Sequence, residues 1–276
     1  LAAIARAVSG KGNCQVRLGS RLLDGRAALA ELGLQPLELI PKEGLAIVNG
    51  TSFSAAIAAN AVQAAKQQLA IAFAVHAMMF RGLAGHEEPF MPFVHDCKPH
   101  PGQVWAAATM RDLLVSDETR ASKEAAKDHV QDCYSLRCLP QYVGPIVEGM
   151  ARITRVVECE MNAVTDNPLV DVEQQRFYQS GNFLGQYIGF AMDDLRRFRA
   201  LLAKHLDVQI ARLVAPEFNH GLPASLQGNQ EVPFNMGLKG LQITGNSIMP
   251  LLTHQAHPLV ELYPTHAEQF NQNVNG

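Results

Sequence analysis

The sequence predicts a mainly α fold in which several long helices form a bundle. Strand patterns are sparse and short, whereas long stretches of helical pattern are separated by short turn signals. Hydrophobic residues make up 47% of the 276 residues and charged residues 18%, which supplies enough apolar surface for a large core and for contacts with other subunits. Because the long helices lack a clearly polar face, we expect the bundle to continue into partner subunits.

The chain changes texture near residue 50, and we predict a boundary there. The preceding region contains Gly19, Asp24 and Gly25, a helical run around Ala27–Leu32 and a connector rich in Leu and Pro. From Thr51 onward helical patterns dominate. The predicted regions are therefore 1–50 and a central long-helix bundle over 51–276.

Thr51 or Ser52 can cap the first long helix, whose interior is rich in good helix formers. The helix is apolar on nearly every side, which predicts burial on every side. Its stretch from Ala55 to Phe80 approaches membrane-spanning length but is interrupted by polar residues, so we interpret it as a helix buried in protein. The interruptions are Asn60, Gln63, Lys66, Gln67, Gln68 and His76.

The remaining elements follow from turn signals and helical periodicity. A loop rich in Gly, Pro and His is predicted over Gly85–Gly102, and a polar, exposed connection over Glu118–Asp132. Further helices are predicted over Trp105–Leu114, Val143–Ala163, Leu184–Val214 and Gly237–Leu252.

Charge and cysteine content exclude several classes of protein. A net charge of -3 and a pI near 6.4 give no basic footprint for nucleic acid or for an anionic membrane surface. Five cysteines without CxxC spacing indicate neither a disulfide framework nor a zinc cluster, and favour a reducing, cytoplasmic compartment. Because the chain lacks an initiator methionine and stops in mid-pattern, we expect it to be an internal piece of a longer polypeptide.

Tyr134 and Arg137 form the most informative pair in the sequence. Their spacing of three places a phenol and a guanidinium on one face of a helix. A guanidinium fork suits a carboxylate, and a tyrosine hydroxyl can donate or accept a proton, so the pair is typical of a site for an amino or keto acid. From these residues alone, an arginine that closes an internal salt bridge and a tyrosine that anchors a helix are favoured over a site.

Three other segments carry polar groups at positions that allow a site. Asn49 precedes the long helix, where it is either near the positive end of the helix dipole or part of a capping turn. Glu268, Asn271 and Gln272 would share one face of a helix and cluster a carboxylate with two amides. The loop around His95 contains metal-ligand types but no second spaced ligand group, so we interpret it as structural.

Five short motifs in register resemble the aromatic amino acid ammonia-lyase family across essentially the whole chain. They are Pro41–Ala46 with Asn49–Thr51, Tyr134–Cys138, Thr165–Leu169, Gly181–Phe183 and His266–Asn273. The resemblance is greatest to bacterial phenylalanine and tyrosine ammonia-lyases and related aminomutases. It implies a homotetramer whose active sites each draw on three subunits, and a methylidene-imidazolone electrophile (MIO) made from Ala-Ser-Gly. That tripeptide is absent here and is expected just before Leu1, which makes 1–50 part of the MIO-bearing region, and the chain by itself is expected to be inactive.

The resemblance also implies roles for individual residues. Arg137 would hold the substrate carboxylate, with help from Asn271, while Tyr134 and Asn49 would lie beside the electrophile. Phe183 would pack near the reacting centre. Gln272 and Glu268 would position the amino group, and the aryl pocket would be lined by Leu45, Lys239 and Ile243.

The expected reaction is elimination of ammonia from L-phenylalanine or L-tyrosine to give trans-cinnamate or p-coumarate. Leu251 and Leu252 stand where relatives that act on histidine place a carboxylate, and an apolar pocket would leave an imidazole unpaired. The alternatives are an MIO-dependent 2,3-aminomutase that makes a β-amino acid, a non-catalytic helical scaffold and, with less support, a histidine ammonia-lyase.

Overall fold

The computed structural model describes residues 1–11, 13–115, 130–229 and 231–262, together with the strands 266–267 and 272–273. Within this part the protein is mainly helical, which confirms the predicted fold class. The helices are α1 (Ala2–Ser9), α2 (Gly25–Glu31), α3 (Glu43–Val48), α4 (Ser52–Gly82), α5 (Pro92–Asp96), α6 (Pro101–Leu114), α7 (Tyr134–Arg137), α8 (Leu139–Met161), α9 (Gln186–Val214) and α10 (Lys239–Gln255). Antiparallel hairpins pair β1 (Gln15–Leu18) with β2 (Arg21–Asp24), β3 (Leu169–Asp171) with β4 (Arg176–Tyr178), and β5 (His266–Ala267) with β6 (Gln272–Asn273).

The chain divides into two compact units. The first unit comprises Leu1–Ala58, Val157–Ile188 and Pro264–Gly276, and the second unit comprises Ala59–Val156 and Gly189–Tyr263. The divisions fall inside α4, α8 and α9, because these long helices contribute residues to both units. The sequence-based division into 1–50 and 51–276 stays a prediction.

The N-terminal part of the first unit is built from short elements. Asp24 ends β2 and caps α2 by accepting a hydrogen bond from the Arg26 amide at 2.9 Å. Helix α2 covers most of the helical run predicted around Ala27–Leu32. Helix α1 ends at Ser9 and is capped by Gly10, whose φ of 60° is the left-handed conformation that glycine adopts without strain. The chain therefore enters and leaves these elements through local capping contacts.

The long helix α4 begins where the sequence predicts but is not buried on every side within this chain. Its buried residues recur at spacings of three and four, as in Val62, Leu69 and Phe73, while Ile71 and Met78 are 62% and 73% exposed. The prediction of burial on all sides is therefore wrong for the isolated chain, because helix periodicity directs one apolar stripe away from its core. By length and composition alone, Glu43–Gly82 would also be long enough to span a membrane.

The segment predicted as a loop over Gly85–Gly102 contains more helix than expected. Helix α5 occupies Pro92–Asp96, and α6 begins at Pro101 rather than near Trp105. Proline is tolerated in the first turn of a helix, where its missing N–H would have no partner, so each proline starts a helix instead of breaking one. Gly102 lies so close to the Gly144 carbonyl that a side chain would collide with it, which lets α6 pack tightly against α8.

The later helices match their predicted positions to within a few residues at each end. Helices α8, α9 and α10 were predicted as Val143–Ala163, Leu184–Val214 and Gly237–Leu252. The polar connection expected over Glu118–Asp132 lies mostly outside the described residues. The helical face predicted for the C-terminal polar residues is wrong at Gln272, since its backbone belongs to strand β6 and pairs with Ala267. A hairpin of two short strands pairs its backbone N–H and C=O groups over very few residues. Such short segments show no periodic pattern in the sequence.

Candidate functional site

In the first unit, Asn49 lies in a tight turn between α3 and α4. It is half-buried and forms the C-cap of α3, its amide N–H donating to the Leu45 carbonyl at 2.8 Å. Gly50 has no room for a side chain, because a Cβ there would lie 2.8 Å from the Thr165 hydroxyl and closer still to its carbonyl oxygen. The buried Thr51 adds a hydrogen bond from its own hydroxyl to the Glu160 carboxylate. The turn that presents Asn49 is thus held in place by its contacts with Thr165 and Glu160.

The turn around Asp166 and Asn167 holds the segment that leads to Phe183. The Asn167 side-chain oxygen accepts a hydrogen bond from the Ser180 amide at 2.7 Å, and the Asn182 amide group donates to the Val164 carbonyl at 3.3 Å. Phe183 itself is half-buried just before α9. The structure therefore brings three of the sequence motifs, those of Asn49, Asp166 and Phe183, into one network in the first unit.

A charge pair stabilises the same network. Lys42 forms an ion pair with Asp166, and this contact holds the pKa of the Asp166 carboxyl below its ordinary value, with help from the Asn167 amide. Asp166 is therefore ionised at neutral pH and can accept both hydrogen bonds. Lys42 has a positive φ of 78° at the residue before α3.

In the second unit, the one-turn helix α7 carries Tyr134 and Arg137. The predicted spacing is confirmed, because the Arg137 guanidinium carbon lies 4.9 Å from the centre of the Tyr134 ring. Arg137 Nε donates to the Asp132 carbonyl at 2.9 Å. Among the described residues no hydrogen bond or ion pair occupies its two terminal nitrogens, so this edge of the guanidinium remains available for a carboxylate.

Tyr134 and Arg137 line a polar cavity of about 440 Å³, shared with Gln131, Asp132, Cys133 and Arg212. Tyr134 is 74% exposed and Arg137 is half-buried. The cavity wall near Asp132 is fixed, because the buried Asp132 carboxylate accepts a hydrogen bond from the His86 amide at 2.6 Å. This arrangement combines a phenol with guanidinium groups and suits a small molecule that carries a carboxylate.

Arg212 is a lining residue that the sequence analysis missed. Its Nε is buried and has no hydrogen-bond partner among the described residues. Arg212 lies near the end of α9, far from Arg137 in the chain, and ends a run of alternating polar and apolar residues without a motif. No local signal in the sequence could have placed it in this cavity.

The residues predicted for an aryl pocket are exposed within their own units. Leu45 on α3 is 50% exposed in the first unit. Lys239 and Ile243 lie one turn apart on α10 of the second unit, where Lys239 donates to the Gln242 side chain at 2.8 Å. Their grouping into one pocket therefore stays a prediction.

The substrate argument from Leu251 and Leu252 meets two different environments. Leu251 is exposed, whereas Leu252 lines an apolar cavity of about 360 Å³ bounded also by Leu69, Ile146 and Leu202. This cavity shares no lining residue with the one around Arg137. The predicted residues Glu268 and Asn271 lie outside the described residues, as does the side chain of Gln272.

The loop histidine His95 has structural contacts. Its buried ring bonds through Nε2 to the Pro89 carbonyl at 2.9 Å and through Nδ1 to the Gln103 amide at 3.1 Å. Burial lowers the pKa of His95, which favours the neutral ring that these two contacts require. The ring therefore ties the loop to the start of α6.

Comparison with known proteins gives consistent matches along the chain. A profile of the family described as aromatic amino acid lyase matches residues 1–276. The chain is 57% identical over 259 residues to a phenylalanine ammonia-lyase of Nostoc punctiforme, covering 92% of this chain and 46% of that protein. It is 40% identical over 266 residues to an aromatic ammonia-lyase of Loktanella atrilutea, covering 94% and 48% respectively. The chain thus spans about half the length of the curated relatives it matches.

A solved structure extends the match to the fold. The phenylalanine aminomutase of Pantoea agglomerans superimposes with a TM-score of 0.86 at 29% identity, and the match covers 98% of this chain and 55% of that one. The architecture described above is therefore shared with an enzyme named as an aminomutase, and the sequence is similar to that of an enzyme named as an ammonia-lyase.

Proposed function

Because the chain belongs to the aromatic amino acid lyase family, we propose that the protein containing it is a carbon–nitrogen lyase. The proposed reaction eliminates ammonia from L-phenylalanine or L-tyrosine and yields trans-cinnamate or p-coumarate. The observation that carries the proposal is the Arg137 guanidinium, which is held at Nε by the Asp132 carbonyl and lines a cavity shared with Tyr134. A substrate carboxylate would occupy its terminal nitrogens as a bidentate, charge-assisted pair.

Binding the carboxylate at Arg137 would place the amino acid beside the Tyr134 phenol. A tyrosine hydroxyl can donate a hydrogen bond to one group and accept one from another, so Tyr134 can orient an amine or hold a proton at its oxygen. Its exposure in the cavity leaves the hydroxyl open to substrate. Arg137 would mainly bind and orient, and Tyr134 would assist the bond changes.

The resemblance implies an MIO group formed from Ala-Ser-Gly, and the residues present suit such a partner. An electrophile of this kind, when bound, makes the amine a better leaving group. Among the described residues no hydrogen bond engages the side-chain amide of Asn49, so it can donate to a carbonyl oxygen next to it. Phe183 would supply an apolar wall near the reacting centre.

The aryl group would be bound by apolar contacts from Leu45 and Ile243 and by the aliphatic part of Lys239. An apolar pocket favours a phenyl or phenol ring over an imidazole, whose ring nitrogens would lose hydrogen bonds to water. Glu268 and Gln272 would position the amino group and Asn271 the carboxylate, in keeping with the resemblance.

Exposed apolar side chains support the proposal of a homotetramer with shared active sites. In the second unit Ile71, Met78, Phe190 and Leu251 are each more than half exposed, which is costly in water when such residues are numerous. Partner subunits that cover these side chains would remove that cost. We further propose a cytoplasmic location, in line with the five free cysteines in the described residues.

Product analysis of the full-length protein tests the proposed function. Incubation with L-phenylalanine and separately with L-tyrosine should give ultraviolet-absorbing cinnamate or coumarate together with one equivalent of ammonia. Comparing the two rates assigns the substrate. If neither product forms while the folded protein is intact, the lyase proposal fails, and a non-catalytic scaffold takes its place when no β-amino acid forms either.

A 2,3-aminomutase is the second candidate, and the similarity to the Pantoea agglomerans aminomutase favours it. The same residues would serve, but ammonia would return to the β-carbon instead of leaving. Accumulation of the β-amino acid, measured by chromatography beside cinnamate, distinguishes the two reactions.

A further inference from the structure

A buried polar cluster in the second unit joins three helices. His76 lies on α4, Tyr142 on α8, and both His205 and Gln209 on α9. His76 and Gln209 are each 1% exposed and His205 is 7% exposed. The Tyr142 ring stacks on His205 with 5.0 Å between ring centres, and the two histidine rings are 5.8 Å apart. Polar groups buried this deeply are costly unless their hydrogen bonds are made.

The amide of Gln209 is the centre of this cluster and reaches helix α7. Its Nε2 donates to the Ser135 carbonyl at 3.0 Å. A carbonyl oxygen can only accept, so this contact fixes which end of the amide points to α7. The second N–H is left for a ring nitrogen, and His205 Nε2 at 2.9 Å and His76 Nδ1 both lie within reach.

Both histidine rings are suited to accept from this amide. Burial lowers the pKa of His76 to about 4, and the nearby His205 acts in the same direction, while the Gln209 amide and the Leu136 carbonyl oppose the shift. The Leu136 carbonyl makes no hydrogen bond with Nε2 of the His76 ring. Burial also lowers the pKa of His205 to about 4. Neutral rings keep an unprotonated nitrogen, so the orientation of Gln209 persists at neutral pH.

The contact at Ser135 matters because α7 is a single turn. A helix of four residues gains little stability from its own hydrogen bonds, so its position depends on contacts from outside. Ser135 lies between Tyr134 and Arg137, and Leu136 beside it is fully buried. We propose that Gln209 is a positioning residue that fixes α7 through the Ser135 carbonyl and so orients the Tyr134 phenol and the Arg137 guanidinium in their cavity.

Within the described part of the chain, the cluster contains buried polar atoms without hydrogen-bond partners, and this loss of folding stability fits a positioning role for Gln209. Among the described residues, Gln209 Oε1 and His76 Nε2 are buried without hydrogen-bond partners. An apolar residue at position 209 would avoid part of this cost but would lose the contact to α7. The catalytic consequence rests on the proposed function, whereas the mechanical consequence for α7 does not.

The test is Gln209→Met in the full-length protein, which keeps the length of the side chain and removes both N–H donors. We expect hydrogen exchange at the amides of residues 134–138 to accelerate. The KM for L-phenylalanine should rise about tenfold, because a lost buried hydrogen bond displaces Arg137 from its orientation. A general loss of stability would lower the melting temperature and the amount of active protein but leave the KM unchanged.

Gln103→Met is the matched control. Gln103 is also a buried glutamine, 3% exposed, whose amide bonds to a histidine ring, but it holds the His95 loop and not α7. It should leave both the KM and the exchange at 134–138 within about twofold of wild type. If Gln209→Met does not fold, Gln209→Asn replaces it with Gln103→Asn as control, since the shorter amide keeps polarity but does not reach Ser135.

The outcomes separate this inference from the proposed function. Faster exchange at 134–138 and a raised KM in the Gln209 variant alone support the inference. Wild-type exchange at these amides, or an unchanged KM, overturns it. If wild-type protein has no lyase or mutase activity, the proposed function fails, and the exchange comparison between the two glutamine variants still decides whether Gln209 fixes α7.

Discussion

The two regions that hold the candidate site residues are stabilised by different kinds of interaction. In the first unit, the Asn49 turn depends on charged groups at partly exposed positions, including the Lys42–Asp166 ion pair and the Glu160 carboxylate. In the second unit, α7 depends on neutral groups that are almost fully buried, namely the Gln209 amide and the His76 and His205 rings. The Asn49 turn therefore uses charged groups close to water, whereas the contact of Gln209 with α7 uses neutral groups away from water, since burying a charge costs far more than burying an amide.

This difference predicts different sensitivities for the two regions. An exposed ion pair weakens in salt, whereas buried neutral groups do not respond to it. The two regions also respond to acid in different pH ranges. A lowered histidine pKa reduces stability as the pH falls below about 6.5, whereas a lowered carboxyl pKa reduces it only as the pH falls below the ordinary carboxyl value near 3.8.

The largest expected effect comes from removing the Arg137 side chain, which α7 presents to the cavity. Arg137→Ala should lower kcat/KM, because a charge-assisted contact to the substrate carboxylate is lost. The decrease corresponds to a loss of roughly 2–5 kcal/mol in transition-state stabilisation. Steady-state kinetics of the full-length protein provide the measurement. Arg197→Ala, at an exposed arginine of α9, is the control and should have little effect. Near-normal kcat/KM in the Arg137 variant would remove this residue from the site.

Acid should destabilise the second unit before it affects the first. The folded pKa of both His76 and His205 is about 4, below the ordinary value of 6.5, so the unfolded chain binds more protons and stability falls as pH drops below 6.5. Between pH 6 and pH 5 the two rings should together cost about 2 kcal/mol. Urea unfolding at several pH values measures this slope.

Two histidine variants isolate the origin of that slope. His205→Gln should reduce it, since one of the buried histidines with a lowered pKa is gone. The exposed His100 serves as control, and His100→Gln should leave the slope as in wild type. An unchanged slope in the His205 variant would assign the acid sensitivity to other groups.

A smaller effect is expected from the second arginine of the Arg137 cavity. Arg212→Leu removes a positive charge that attracts a carboxylate, so the KM should rise about two- to threefold and lose part of its dependence on salt. Arg197→Leu, at an exposed position of the same helix, is the matched control. If both variants have the same KM as wild type, Arg212 lines the cavity without contributing to binding.

The smallest effect is expected in the first unit, where water screens the ion pair. Asp166→Asn should lower the melting temperature slightly at low salt, and the difference should shrink in about 1 M salt, where the Debye length is about 3 Å. The lowered pKa of Asp166 means that its contribution is complete above the ordinary carboxyl value near 3.8 and is lost as pH falls through the folded pKa. A salt-independent difference would indicate that the charge of Asp166 does not dominate its contribution.

The sequence predicted most helices because their signals are local. Periodicity and capping residues placed α4, α8, α9 and α10 within a few residues of their observed ends. Local signals failed where a proline starts a helix, as in α5 and α6, and where a two-residue strand replaces an expected helical face at Gln272. In each failure, backbone hydrogen bonding decided the outcome and the residue pattern did not.

The site residues likewise divide into those that local sequence signals predict and those that only helix packing places. By itself the sequence determined the fold class, the family through its short motifs, and the pairing of Tyr134 with Arg137, because all of these depend on spacing along the chain. Only the tertiary structure placed Arg212 in the cavity and the Gln209 amide on the Ser135 carbonyl, 74 residues away. Such contacts depend on how helices pack against one another, and residues far apart in the chain carry no local pattern that records it.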